Sequence, residues 1–594
     1  MFSDDLFLYT SPLTCFDYNE NGQLIAQHQW KVPSKEENAR NGLPDTDWRD
    51  AQYDMLYLPV TETVRYHYDF NGNRTATVLP DGRQINYLYY GSGHLHQISL
   101  DDEVITDIER DQLHREIYRT QGKLASRYEL DPLGRLKRQI ATLNDLTEGG
   151  KGKTKVAAGY GQTAVKRSYG YDRTGNLTHS TDQRTGTTKF EYDKLGRITQ
   201  AGNELFAFDP AHNILSDGLN AIPDNRLKTY NGTTYYYDEL GNLIHRELAD
   251  GEVQNYFYDL HDQLVKAEIF KKDGTKETWA YSYDALGRRI GKGRLKNEEV
   301  SETSFPHDLS GNGLENQTRF VWDGSHLLQE IHPDGRYTYI YTDPDSYEPL
   351  AQVRDWTTED GESRQQTHYF HCDQIGIPRE MTDKDGNLLW FGNYTGWGRL
   401  KEETKVTDSA YQPFRLQNQY ADRETGLHYN FFRYYEPDAG RFVNQDPIGL
   451  WGGENLYTFS PNTQSWVDFL GLRGVYFFTD MTQSYIGKGP LSRMRRSIRY
   501  RTGPKQSNPM SKPTACVHVK LKSDKMALMV EARLMAIHNA KLNPSFMNKI
   551  LSNGVKLYAD KNTTARERNI ADRYAKVINQ RMENVKSGKC KSAC

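Results

Sequence analysis

One short pattern recurs through most of this chain and restricts what it can fold into. An aromatic or apolar residue and an aspartate are followed, three positions after the aspartate, by a glycine, and then by asparagine or arginine. It reads Tyr68-Asp69…Gly72-Asn73-Arg74, Leu130-Asp131…Gly134-Arg135-Leu136, Tyr171-Asp172…Gly175-Asn176-Leu177, Tyr192-Asp193…Gly196-Arg197-Ile198, Tyr237-Asp238…Gly241-Asn242-Leu243 and Tyr283-Asp284…Gly287-Arg288. Degenerate copies stand at Phe208-Asp209, Tyr258-Asp259 and Trp322-Asp323. Between copies the residues alternate, as in Lys189-Phe190-Glu191-Tyr192, which is the period of a half-buried strand. Asp-x-x-Gly supplies a turn with its left-handed position, after which the next run begins. Repetition of this unit predicts hairpins side by side in a long antiparallel sheet, continuous from Ala51 to about Thr342. The unit is too short and too irregular in period for a propeller blade. The fold class is mostly β.

Composition divides the chain in two. The 40 tyrosines and a hydrophobic share of 36% suit a wide surface of amphipathic aromatics better than a thick aliphatic core. Residues 473–594 hold 25 of the 75 Lys+Arg but 7 of the 79 Asp+Glu, a net of +18, which leaves 50 basic against 72 acidic residues before them, a net of −22. A basic end on an acidic body points to a polyanionic partner, nucleic acid first; the other reading is a basic domain docked on its own acidic body. Five scattered cysteines (Cys15, Cys372, Cys516, Cys590, Cys594) make no disulfide framework. No apolar run reaches the length of a membrane span. The opening MFSDDLFLYT lacks a basic and apolar leader, so a general secretory signal is not expected to export the chain.

The repeated residues resemble the YD repeats of Rhs proteins and of the related toxin-complex C components. The resemblance implies a strip coiled into a hollow β-cocoon enclosing a C-terminal toxin. Residues 1–50 are poorer in signal, with one partial repeat at Phe16-Asp17-Tyr18…Gly22-Gln23-Leu24 and no separate delivery module, and residues 51–417 form the shell.

From Asn418 the pattern gives way to a dense block: Glu424 to Asn430, Arg433-Tyr-Tyr-Glu-Pro437, Gly440-Arg-Phe442, Asp446-Pro-Ile-Gly-Leu450 and Asp468-Phe-Leu-Gly-Leu472. It resembles the block that closes an Rhs core, with Phe469 where that family usually has proline. By that resemblance residues 418–472 are an intramolecular aspartyl protease, with Asp446 and Asp468 as the catalytic pair, Arg433 in support and the cut after Leu472. Two carboxylates sharing one proton suit such chemistry, since one acts as base on water and the other as acid. Both aspartates also fit plain turn caps. The reversal of charge falls at the same junction.

Residues 473–594 read as a small α/β domain. Residues 475–479 and 483–486 flank a tight turn as a hairpin, a basic helix spans 491–501, and Cys516 to Leu521 alternates as a third strand. Ser523 can cap a helix running to about Leu542, and Thr564 to Lys586 reads as a final basic helix. Gly474-Val-Tyr476, Tyr485-Ile-Gly487, a following arginine and a helical glutamate resemble the GIY-YIG endonucleases. By position that family's roles fall on Tyr476, Tyr485, Glu531 as the metal ligand, Asn543, and an arginine that is Arg493 by spacing or else Arg495. Phosphodiester hydrolysis needs an activated water, a charge clamp on the phosphate and help for the leaving oxygen, and these residue types supply all three with one Mg²⁺. Lys488, Arg495, Arg496 and Arg499 would contact the flanking backbone.

Each of these residues has a plainer reading. Tyr476 and Tyr485 also fit a cross-strand packing pair, and Glu531 fits a solvated helix carboxylate paired with Arg533 or Lys541. No His-x-Glu with Cys-x-x-Cys marks a zinc deaminase, and His518 and His538 are the domain's two histidines. The function expected is an interbacterial toxin, cytoplasmic in its producer and delivered into target cells by a secretion machine. It would act as a DNase, be freed by self-cleavage and be neutralised by an acidic immunity protein. The alternatives are a ribonuclease in the same architecture, or a YD-repeat scaffold whose basic end only holds nucleic acid.

Overall fold

The computed structural model of the chain describes residues 13–20, 23–30, 60–91, 93–143, 163–215, 222–284, 286–295, 314–407, 410–447, 455–465, 474–479, 484–488 and 515–520. Among them the fold is almost wholly antiparallel β, with one 3-10 turn at Pro223–Asn225.

The strip is longer than the repeats alone predict, and it is interrupted once. Fifteen strands run in sequence order from Leu13–Tyr18 to Glu204–Leu205, and fifteen more from Thr229–Tyr230 to Leu400–Lys405. The single continuous sheet expected to about Thr342 is corrected on both counts. The break lies where Pro210 and Pro223 remove backbone donors, and among the described residues an isolated Phe208–Ile214 bridge spans part of it. The partial repeat near the start is a real hairpin. Strands Leu13–Tyr18 and Leu24–Trp30 pair with each other, and the second pairs with Val60–Tyr68. Asn19 stands there in the aspartate's place and accepts the Gln23 N–H at 2.9 Å.

The repeated residues form one local device. At Asp193 the carboxylate Oδ1 accepts the N–H of Leu195 at 2.8 Å and of Arg197 at 3.0 Å, while Oδ2 accepts the Arg197 Nε–H at 2.6 Å. Where asparagine replaces arginine, its amide makes the same reach, as from Asn73 to Asp69 Oδ2 at 2.8 Å. That equivalence explains why either residue serves at this position. Gly134 and Gly196 hold φ +84° and +78°, the left-handed geometry the turn requires. The repeat tyrosine links neighbouring units. The hydroxyls of Tyr68, Tyr171, Tyr192 and Tyr283 donate to the carbonyls of Leu24, Leu136, Leu177 and Leu264, at 2.7–2.8 Å. Each acceptor closes the preceding turn.

The two sheets are stitched together along their length. Gln27 donates to the Trp322 carbonyl, Arg83 pairs with Asp355, Gln121 donates to the Phe370 carbonyl and Arg167 pairs with Glu380. Both members of these pairs advance along the sequence together. The second sheet therefore follows the first in the same sense, as successive turns of a coil do; a strip doubled back on itself would reverse one order. An apolar layer including Val64, Ile98 and Ile105 from the first sheet and Val321, Ile340 and Val353 from the second lies between them. Burial of such side chains is worth roughly 1.5–3 kcal/mol each.

The dense block folds differently. Four short strands, Tyr420–Ala421, His428–Asn430, Arg433–Glu436 and Arg441–Phe442, make a separate sheet whose residues are all buried. Near the C-terminus, strands Gly474–Thr479, Ser484–Lys488 and Ala515–Lys520 form a three-stranded sheet with the first in the centre.

Candidate functional sites

The closing block is fastened to the coil by charges taken out of water. Arg289 donates to Asp422 Oδ2 at 2.5 Å, and Lys292 reaches Asp422 Oδ1 at 3.1 Å and Glu424 Oε2 at 3.0 Å. The Arg289 guanidinium also lies 4.3 Å from the Tyr429 ring centroid. Arg246 pairs with Glu436, both buried. Burial pushes the Glu424 and Glu436 carboxyls above their ordinary range, with Lys292 and Arg246 respectively opposing it. Backbone and side-chain bonds add to the seam: Leu243 N–H to the Val443 carbonyl at 3.0 Å, and the Tyr457 hydroxyl to the Gly241 carbonyl at 2.7 Å.

Inside this block the structure brings together two of the three residues expected to act in self-cleavage. Arg433 Nη2 lies 3.4 Å from Asp446 Oδ2, with both side chains buried. Arg433 Nη1 donates to the Leu456 carbonyl at 3.3 Å, and the Asp446 N–H reaches that same carbonyl at 3.0 Å. A residue outside the expected set completes the arrangement. The Arg433 guanidinium stacks on the Phe442 ring at 3.5 Å from its centroid, and Phe442 is itself packed against Tyr435 and Phe459. Phe442 stands in the Gly440-Arg-Phe442 motif, but its partner, nine positions earlier, is visible only in the fold. Asp468 and Leu472 lie outside the described residues.

In the C-terminal sheet the described backbone fixes register. Phe478 lies opposite Tyr485, and Tyr476 lies opposite Gly487 on one side and His518 on the other. Directly opposed positions share a face, as do positions two apart, so 476, 485 and 518 fall on one face of this sheet. Lys488 pairs with Val475 at the end of its strand. His518 was not among the expected site residues; alternation in the third strand is legible, but the register that sets it against Tyr476 is not. Arg493, Arg495, Arg496, Arg499, Glu531 and Asn543 lie outside the described residues. Among the described residues no group of three or more His, Cys, Asp or Glu gathers as a metal site, and no helix is long and apolar enough to cross a membrane.

Comparison with known proteins follows the shell. Residues 367–404 match the family model described as RHS protein, and residues 153–305 match that described as Teneurin YD-shell. The chain is 37% identical to Double-stranded DNA deaminase toxin A of Burkholderia cenocepacia, over 78% of this chain and 30% of that protein. It is 30% identical to Toxin protein Tse5 of Pseudomonas aeruginosa, over 67% of this chain and 33% of that one. To Probable deoxyribonuclease RhsB of Dickeya dadantii it is 28% identical, over 71% and 28%. These matches thus span no more than a third of each relative's length. Among solved structures, a Photorhabdus luminescens Tc holotoxin pore is similar over 78% of this chain and 23% of its own, with a TM-score of 0.52 at 16% identity, a likeness of fold. A YD-turn device repeated through a strip that coils on itself, and the family models that match within it, lead to one conclusion: this chain carries a YD-repeat β-shell, similar over residues 153–305 to the Teneurin YD-shell and over residues 367–404 to RHS proteins.

Proposed function

We propose that the chain is an Rhs-type interbacterial toxin whose closing block cuts after Leu472 and frees a basic, metal-dependent endonuclease of GIY-YIG type. The observation that carries the nuclease reading is the register placing positions 476 and 485 on one face of a three-stranded sheet within a segment of net charge +18. Relatives that share the shell are named for a DNA deaminase and for a deoxyribonuclease, which supports DNA as the target. Of these two chemistries the sequence favours hydrolysis, because residues 473–594 contain no His-x-Glu and no Cys-x-x-Cys.

In this reading a tyrosine on the shared face positions the attacking water, and Arg493 neutralises the phosphate. Glu531 is the residue that would hold Mg²⁺; one carboxylate with a largely hydrated ion is an ordinary donor set for that metal. When bound, Mg²⁺ supplies further neutralisation of charge on the phosphate. Lys488 and the arginines at 495, 496 and 499 hold the flanking strand through salt-sensitive contacts. An acidic immunity protein is the partner that the basic segment calls for in the producing cell.

The test is to incubate the chain with plasmid DNA, and separately with RNA, with and without Mg²⁺. Degradation of DNA that requires Mg²⁺ and disappears in Glu531→Ala, with nucleic-acid binding retained, is the expected result. Degradation of RNA alone assigns a ribonuclease. Undiminished activity of Glu531→Ala overturns the catalytic assignment.

A further inference from the structure

We infer that a small cavity, where the closing block meets the interrupted stretch of the strip, binds one small monovalent anion such as chloride, and that this anion helps to fasten the block.

The cavity has a volume of about 10 Å³ and is lined by Asn213, Trp397, Gly440, Arg441, Thr458 and Ser460 among others. That is room for a single particle near the size of a water molecule. Four of the side chains around it each carry a buried polar atom with no hydrogen-bond partner among the described residues: Trp397 Nε1, Arg441 Nε, Thr458 Oγ1 and Ser460 Oγ. Buried polar groups are seldom left so, and four around one cavity call for an occupant that bonds them. The two N–H groups can only donate, and each hydroxyl is able to donate as well. The set suits an acceptor.

Arg441 decides the charge of that acceptor. Its Nη1 donates to the Asn213 amide oxygen at 3.2 Å and its Nη2 to the Asn225 carbonyl, both of them neutral. Buried Arg167, Arg246 and Arg289, by contrast, each meet a carboxylate. The Asp209 carboxylate is reached from Arg441 only through Asn213, whose amide nitrogen donates to it at 2.8 Å. Burial pulls the Arg441 guanidinium down from its ordinary value, with Tyr237 and Tyr457 opposing. An arginine keeps its proton even so, and the cost of burying it is relieved by an anion in contact. A water molecule would engage the four orphan atoms but leave that charge unmatched.

The surroundings hold the donors in place. The Trp397 ring packs edge-on against Phe206 and Phe208, with centroids 6.1 and 6.2 Å away. At Gly440, where φ is +64°, a Cβ would come within 2.8 Å of the Trp397 ring and 2.5 Å of Ile214 Cδ1, so only glycine lets the block approach the indole this closely. Trp397 belongs to the turn before strand Leu400–Lys405, while Arg441, Thr458 and Ser460 belong to the closing block. An ion shared between them ties the block to the second sheet.

The test unfolds the full chain in urea at fixed ionic strength while sodium chloride replaces sodium gluconate. The midpoint should rise with chloride and then level off, the opening equilibrium constant falling about tenfold once chloride reaches ten times its dissociation constant. The folded chain should also broaden the chloride-35 NMR line. Trp397→Phe keeps the ring and removes the N–H, and should need about tenfold more chloride for the same gain. Ser460→Ala carries the same expectation and takes its place if Trp397→Phe does not fold. A midpoint indifferent to chloride, with no line broadening, means that the cavity holds water and overturns the inference. A chloride gain that these variants keep in full puts the ion elsewhere and overturns it equally.

Discussion

The coiled strip and the block that closes it solve the burial of polar groups in opposite ways. In the strip the turn carboxylates of Asp69, Asp131, Asp172 and Asp193 find their partners within four residues. In the closing block three buried acids find theirs more than a hundred residues away: Asp422 with Arg289, Glu424 with Lys292, Glu436 with Arg246. Local pairing makes these turns a sum of small, similar increments, tolerant of an imperfect copy such as Asn19. Long-range buried pairing makes the block all-or-none, because an ion left without its partner in a dry interior is costly.

The largest effect is expected at Asp422. Asp422→Asn leaves both Arg289 and Lys292 without their shared carboxylate, and should destabilise the closed shell by about 3–5 kcal/mol, read as a shift of the urea midpoint. A shift under about 1 kcal/mol would mean that the buried pairs are no more demanding than turns. Glu380→Gln probes the same principle between the two sheets, where Glu380 meets Arg167 at 2.7 Å and Arg184 at 3.0 Å. Arg184 is half-buried and can turn to water, so the cost should fall to roughly 2–3 kcal/mol.

A turn aspartate should matter less. Asp193→Ala removes two backbone hydrogen bonds and one to Arg197, but it leaves donors close to solvent, for a loss of about 1–2 kcal/mol in the same titration. The corresponding change at Asp284, whose carboxylate is fully buried with Arg288, should cost more than at Asp193. Equal costs at the two positions would show that burial does not grade the repeats.

How much of this was legible in the sequence follows from the same contrast. The Tyr, Asp, Gly and Asn/Arg positions declare themselves because their contacts are local and recur, so one strand period and one turn geometry account for every copy. The interruption near residue 206 left a trace in two prolines, while the sheet's continuation to Lys405 left a broken one: Asp373-x-x-Gly376 and Asp383-x-x-Gly386-Asn387 keep the turn, but the turn at Thr342 to Glu348 has no Asp-x-x-Gly. Glu424 and Glu436 stood in the dense block and Asp422 just before it, but nothing in the sequence marked any of the three as buried. Their burial depends on which strand of the coil passes over them, and no local pattern encodes that. Arg433 and Asp446 were singled out by motif, while Phe442 was only a letter within it. In the C-terminal sheet strand periodicity was readable. Register was not, because it depends on pairing between segments about forty residues apart, Tyr476 with His518.

The smallest effect separates the two regions by the sign of their response to pH. Partial burial pushes the Asp193 carboxyl up, but the Arg197 N–H and guanidinium and the Leu195 N–H outweigh it and hold it below its ordinary value. A group lowered in this way adds stability above the unfolded value of about 4 and loses it as pH falls through the folded one. Glu436 and Glu380 are displaced the other way, upward, by burial that Arg246 and Arg167 only partly offset. Their contribution is fully present below the unfolded value of about 4.3 and is lost as pH rises through the raised folded value. Between pH 5 and pH 3 the turn amides should therefore lose protection while the closing block does not. Hydrogen exchange of the Leu195 and Arg197 amides, measured against the Leu243 and Phe442 amides that bond into the closing block, reads both at once. Parallel loss in the two sets would mean that the strip and its closure open as one unit, and that the contrast between local and long-range pairing does not reach their dynamics.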